Sequence, residues 1–152
     1  MKRIAVAADH AGFPLKATII EYLKKQGHQV LDLGTSNADP VDYPDFARAV
    51  AETIRSGSCS EGILLCGSGV GASVVANKFP GIRAGLCHDT YSAHQSREHD
   101  DCNVLCIGPR VIGEKLALEI VAAWIKAEFT AEQRHKRRLA KIDAIEKEFS
   151  KD

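Results

Sequence analysis

Gly62-Ile63-Leu64-Leu65-Cys66-Gly67-Ser68-Gly69-Val70-Gly71 decides the fold. An aliphatic run ends at a thiol, alternating glycines follow at once, and a helix is expected from about Val70. A run this short, bounded by glycine, reads as a strand of a parallel sheet buried on both faces. Working outward, the same kind of run recurs at Ile4–Ala8, Gln29–Leu33, Ile82–Cys87 and Val104–Ile107. Amphipathic stretches separate the runs. Leu15, Ile19 and Leu23 recur at helical spacing, with Lys16, Glu21, Lys24 and Lys25 elsewhere on the cylinder and Gly27 as a left-handed stop. Phe46, Val50 and Ile54 make a second stripe, opened by Pro44 at the first helical position and closed near Gly57. Ile112, Leu116, Ile120 and Trp124, widened by Val121 and Ile125, make another. The alternation predicts βαβ units with right-handed crossovers. It gives a single-domain α/β protein, a three-layer αβα sandwich around a five-stranded, parallel, doubly wound, Rossmann-like sheet.

Composition narrows the function classes. A chain of 152 residues suits one domain, and 45% hydrophobic with 26% charged residues excludes a disordered or fibrous chain. Twenty basic residues balance twenty acidic ones, so no global field draws the protein to nucleic acid or an anionic membrane. The longest uncharged stretch, Gly62 to Asn77, is too short for a membrane span, and Asp9 and His10 cut off any leader-like run. Five cysteines without a C-x-x-C pair argue against a disulfide framework or zinc ribbon. Cys66, Cys87 and Cys106 sit in or at the end of apolar runs, as buried thiols do. A cytoplasmic protein is expected.

One element breaks the alternation. Thr130-Ala131-Glu132-Gln133 is a capping-box signature that opens a last helix, with Leu139, Ile142, Ile145 and Phe149 as apolar positions and no strand after it. Its first turns carry Arg134-His135-Lys136-Arg137-Arg138, where the helix dipole gives cations no support. Two readings stand: a solvated face over a stripe packed on the body, or an arm that reaches a partner subunit and offers arginines to an anion. The expected division is a core over 1–129 and a C-terminal helical arm over 130–152.

Ligands of open parallel sheets bind beyond the carboxyl ends of the strands, at the point where strand order reverses. The residues there are Asp9-His10-Ala11-Gly12, Cys66 to Gly71, His88-Asp89 and Gly108-Pro109-Arg110. Gly67, Gly69 and Gly71 allow backbone N–H groups to turn inward, and together with the helix start they form an anion-binding nest. A strand-end thiol beside that nest is placed to ionise near neutrality, which makes Cys66 a candidate catalytic group. The loop also satisfies G-x-G-x-x-A, with Asp89 about twenty residues on, so dinucleotide binding is weighed. The motif follows the third strand rather than the first, which counts against it. A phosphocysteine carrier is a further alternative. His94 and His99, five apart, do not share a helical face and give no metal pair with Cys102.

These residues together are similar to a known family. Asp9-His10-x-Gly12-Phe13, Asp42-Tyr43-Pro44, Cys66-Gly67-Ser68-Gly69-Val70-Gly71, Gly81-Ile82-Arg83-Ala84, Ser96-Arg97-x-His99, Gly108-x-Arg110, Arg134-His135 and Arg138 follow in order over nearly the whole chain. The pattern resembles the family of type B ribose-5-phosphate isomerase and the galactose-6-phosphate isomerase subunits. The resemblance implies aldose–ketose isomerisation of a sugar phosphate, without metal or organic cofactor. Cys66 corresponds to the base that moves a proton between C2 and C1 through a cis-enediolate. The Gly67, Ser68, Gly69, Val70 and Gly71 segment corresponds to the anion hole, with Ser68 among the catalytic positions. His99 corresponds to the acid that opens the sugar ring. Asp9, His10, Tyr43 and Asp100 fall at substrate contacts, and Arg110, Arg134 and Arg138 at the phosphate clamp. A homodimer or homotetramer with active sites shared between subunits is implied. Two positions depart from the pattern. Ser68 stands where many members carry threonine, which leaves room for a six-carbon phosphate such as allose 6-phosphate, the alternative substrate. Asp100 stands where asparagine is usual, so two amide donors are replaced by acceptors.

Overall fold

In a computed structural model, which describes residues 1–151, the five runs form β1 (Arg3–Ala8), β2 (Gln29–Asp32), β3 (Glu61–Leu65), β4 (Ala84–Leu86) and β5 (Val104–Ile107). Six helices accompany them: α1 (Phe13–Lys25), α2 (Tyr43–Arg55), α3 (Val70–Ala76), α4 (Thr90–Glu98), α5 (Glu114–Lys126) and α6 (Gln133–Phe149). All pairings are parallel, in the order β2-β1-β3-β5-β4. Alternate residues of β1 separate the layers: Ile4, Val6 and Ala8 pack with α1, α4 and α5, while Ala5 and Ala7 pack with α2 and α3. Apart from exposed Arg3, the three central strands are buried on both faces, as their apolar runs from Ile4, Gly62 and Val104 require. The edge strands β2 and β4 are shorter than their runs and partly exposed. Pairing on one side only lets Ile82 and Arg83 fall outside β4, and the Arg83 carbonyl accepts from the amides of Asn103 and Val104.

Several local expectations change in the tertiary context. Lys16 is buried, not turned to solvent; its Nζ meets Asp32 at 2.6 Å and lies 5.8 Å from the Phe13 ring centre. In α5 the buried position is Ala117 rather than Leu116, and Ile112 precedes the helix. Pro44 is the second residue of α2, after Tyr43. The capping box does not form: Glu132 occupies the cap without a side-chain bond, and Ala131 lies at φ +54°. Thr130 is engaged elsewhere, with its N–H on Glu98 O at 3.0 Å and its Oγ1 2.6 Å from His135 Nδ1. In α6 His135 and Leu139 are buried, but Ile142, Ile145 and Phe149 are 46%, 59% and 79% exposed. Among the described residues no helix is long and apolar enough to cross a membrane.

Candidate active site

The chain leaves β1 toward β2 on one side and returns to β3 on the other, so the loops after β1 and β3 diverge and leave a crevice. Its lining is Asp9, His10, Ala11, Tyr43, Cys66, Gly67, Ser68, Gly71 and Arg110, around about 210 Å3.

Asp9 is buried, and its Oδ1 accepts from the amides of Ala11 and Gly12, both at 2.9 Å. Those bonds shape the turn into α1 and leave Oδ2 without a partner among the described residues. His10 Nδ1 accepts from Val41 N at 3.1 Å; an amide only donates, so a neutral ring carries its hydrogen on Nε2. Tyr43 lies against Gly71, where a Cβ would come within 2.6 Å of its ring. Cys66, 4% exposed, ends β3 at the crevice.

The glycine loop is shaped by close approaches. Gly69 has φ +79° and opens α3, while the Ser68 Oγ accepts from Val70 N at 3.2 Å. Arg110 donates its amide to Gly67 O at 3.0 Å, and its guanidinium lies over Gly67, 3.1 Å from where a Cβ would stand. Gly108 packs directly on the Ser68 backbone, and its amide donates to His88 Nε2 at 2.9 Å. Burial lowers the His88 pKa and keeps that acceptor neutral. His88 therefore braces the loop rather than facing the crevice. Both Asp89 oxygens are engaged by Ser92, at 2.6 and 2.7 Å, which ties this carboxylate to the start of α4 as its cap.

His99, Asp100, Arg134 and Arg138 are not in this crevice. Helix α4 starts at the carboxyl edge of the sheet, after β4, and runs back to feed β5. Its nine residues span about 13 Å. His99, its C-terminal cap, therefore sits at the amino edge, a strand length from Cys66. There its ring stacks on His135 with centroids 4.2 Å apart, and Gln95 Nε2 lies 3.1 Å from its Nδ1. Arg134 Nε donates to His135 Nε2 at 3.3 Å, so the His135 hydrogen is on Nδ1 and goes to Thr130 Oγ1. Burial lowers the His135 pKa, and His99 and Arg134 lower it further, which keeps this ring neutral. Arg138 follows one helical turn after Arg134 on α6, on the same face. Asp100 borders a separate groove of about 650 Å3, shared with Arg83 and the exposed Ile142, Ile145 and Phe149. Sequence reasoning missed His135 as the partner of His99; the Arg134-His135 pair was its only signal. His94 pairs with Glu98 at 3.0 Å, and among the described residues no group of three His, Cys, Asp or Glu side chains is placed to hold a metal.

A sequence profile of the Ribose/Galactose Isomerase family matches residues 4–142. The chain belongs to this family. It is 48% identical, over 96% of its length and 97% of the relative's, to ribose-5-phosphate isomerase B of Escherichia coli. Its fold is similar to that of ribose-5-phosphate isomerase B from Clostridium thermocellum, at a TM-score of 0.95 and 51% identity over 97% of this chain and 99% of that one. It is also similar to the Mycoplasma genitalium enzyme solved with ribulose 5-phosphate bound, at a TM-score of 0.91 and 41% identity over 96% and 97%. The match to the Ribose/Galactose Isomerase family spans both groups of residues, the crevice at the carboxyl edge and the His99–Arg138 cluster at the amino edge.

Proposed function

We propose that the chain interconverts ribose 5-phosphate and ribulose 5-phosphate, and that it works as a homodimer or homotetramer whose copies complete each other's sites. The Cys66 thiol at the end of β3, set against the glycine loop with Arg110 over Gly67, carries this reading. The crevice offers a base and anion donors, and its own histidine, His10, is held at Nδ1 by the Val41 amide and serves as a sugar contact rather than the ring-opening acid. The His99 cluster offers an acid and arginines at the other edge of the sheet. A second copy that brings its amino edge to the first copy's carboxyl edge joins the two halves, and the exposed stripe of α6 is apolar surface suited to such a contact.

In the joined site His99 donates a proton to the ring oxygen while the C1 hydroxyl gives its own to solvent; the ring C–O bond breaks and the aldehyde forms. The Cys66 thiolate takes the proton from C2, the C–H pair becomes the C1–C2 double bond, and charge moves to O1, where the loop amides receive it. The Ser68 hydroxyl carries the O2 proton to O1, and Cys66 returns its proton to C1. Asp9 and His10 hold the sugar hydroxyls, and Arg110 with the second copy's Arg134 and Arg138 holds the phosphate. Base, acid and anion hole are supplied by the chain, so the scheme requires no cofactor, and it fits sugar-phosphate metabolism in the cytoplasm.

A coupled steady-state assay with EDTA present, on ribose 5-phosphate and allose 6-phosphate side by side, tests the reading. Preferred turnover of ribose 5-phosphate, abolished in Cys66→Ala with phosphate affinity retained, is expected. Preference for allose 6-phosphate would reassign the substrate to a hexose phosphate, and silence on both would overturn the isomerase.

A further inference from the structure

At the amino edge, the turn that follows His99 points three consecutive carbonyls at two arginines. Arg83 Nε donates to Asp100 O at 3.0 Å and its Nη2 to Asp101 O at 3.1 Å; Arg97 Nη1 donates to Cys102 O. Arg83 also holds the turn through its backbone, with its N–H on Asn103 Oδ1 at 2.8 Å and its carbonyl accepting from Asn103 N at 2.9 Å. Asp101, at φ +45°, places its carboxylate 3.3 Å from Arg83 and 3.8 Å from Arg97. Behind the turn Arg97 pairs with Glu61 at 2.7 Å, Glu61 pairs with Lys2 at 3.0 Å, and the Arg97 guanidinium lies 5.2 Å from the Trp124 ring centre.

Stability does not explain the arrangement. A buried ion pair does little more than offset its own desolvation. Here Glu61 Oε2 and Arg97 Nε have no hydrogen-bond partner among the described residues. Water would satisfy the carbonyls of an ordinary surface turn. Planar guanidinium forks do something water does not: they dictate the direction of each carbonyl and so the course of the backbone. The backbone they fix carries His99 and Asp100. Stacking on His135 sets the plane of the His99 ring, but where the ring lies along that plane follows its main chain.

We infer that Arg83 and Arg97 are positioning residues for His99 and Asp100, a carbonyl clamp that sets the ring-opening acid. The inference rests on the isomerase reading above. Arg83 holds two of the three carbonyls and is partly exposed, so its replacement is the informative one; Arg97 is built into the core.

The test separates the ring step from the proton transfer that follows it. Ribose 5-phosphate closes a furanose ring through its C4 hydroxyl. Ribulose 5-phosphate has no free hydroxyl placed to do so, and it reaches the enediolate without ring opening. With Arg83→Met, kcat on ribose 5-phosphate is expected to fall about tenfold to a hundredfold, as an acid displaced by a fraction of an ångström requires. KM stays near the wild-type value. Deuterium wash-in from solvent at C1 of ribulose 5-phosphate stays at the wild-type rate. In a Cys66→Ala background, where proton transfer is blocked, enzyme-promoted exchange of the α and β anomers of ribose 5-phosphate, read by NMR, falls with kcat when Arg83→Met is added. Equal losses in ketose formation and wash-in, or wild-type kcat, would overturn the clamp. If Arg83→Met does not fold, Arg83→Lys keeps the charge at Asp101 but cannot span two carbonyls. It is expected to show the same split at smaller amplitude, and an unsplit loss overturns the inference. Wild-type protein inactive on both sugars would remove the isomerase reading and the clamp with it; an active wild type with unsplit variants removes the clamp alone.

Discussion

Gly69→Ala tests whether the glycine loop acts through its backbone. Gly69 sits at φ +79°, where an alanine costs about 1–2 kcal/mol. The added Cβ would stand 3.1 Å from the Ile107 carbonyl carbon and 3.2 Å from Gly108 N, both in the backbone leading to Arg110. It would also come within 2.6 Å of Leu86 Cδ1, but that side chain is 38% exposed and free to swing aside. Reduced freedom of the unfolded chain offsets about 0.4–1 kcal/mol. A net loss of about 1 kcal/mol remains, which lowers Tm by about 2–4 °C in a chain of this length. Gly57→Ala is the control: φ is +78° there and nothing lies within 4 Å of the new Cβ. The two variants should lose similar stability, with Gly69→Ala slightly worse. Activity should separate them. Crowding against Gly108 displaces the loop amides, and loss of one well-aimed oxyanion donor lowers kcat about a hundredfold to a thousandfold. Calorimetry and the coupled assay on both variants decide it. If Gly69→Ala keeps kcat within about threefold of Gly57→Ala, the loop amides are not the anion hole.

Three further outcomes are expected. Cys66→Ala and His99→Asn, each inactive alone, should recover roughly a quarter of wild-type activity when unfolded and refolded together in equal amounts. Half of the random dimers then contain one intact shared site, and no recovery would place both residues in one chain's site. Ile145→Asp should separate the copies, read as a fall in sedimenting mass with loss of turnover; an unchanged mass would take the α6 stripe out of the contact. Burial draws the Asp32 pKa upward, but hydrogen bonds from Lys16 and the Gly34 amide outweigh it and hold the carboxyl below its ordinary value. Its stabilisation is therefore complete above the unfolded pKa of about 3.9 and is lost as pH falls through the lower folded value. Asp32→Asn should lower Tm at pH 7, with the gap closing below about pH 4; a gap independent of pH would refute the pairing.

Much of the fold was legible because each central strand is apolar after its first residue or throughout, a pattern that burial on both faces explains. Ile63, Leu64 and Leu65 could be read without knowing their neighbours. The edges were harder. Ile82 and Arg83 read as part of a strand, yet they precede β4 and Arg83 grips Asn103, since a strand paired on one side has no ladder to hold its ends. Lys16 read as solvent-facing because a lysine on a helix usually is; Asp32 at the end of β2 draws it inward. Thr130 carried a capping signature, but a threonine hydroxyl has more than one use, and His135 claims it.

The candidate site divides along the same line. Sequence by itself determined which side chains are candidates for chemistry: a strand-end thiol, a glycine loop, an acid and a histidine after the first strand, an arginine after the last. Each lies within a few residues of the element that places it, so local order suffices. Only the tertiary structure decided that β1 and β3 are neighbours and that Asp9, Cys66 and Arg110 therefore share one crevice. It also decided that His99 lies at the opposite edge, stacked on a residue thirty-six positions later, with its turn held by Arg83 and Arg97. The physical reason is direction. Every helix that joins parallel strands runs back across the sheet, so its first residues face one edge and its last residues face the other. Which of them meet is then a property of how the layers stack, not of their distance along the chain.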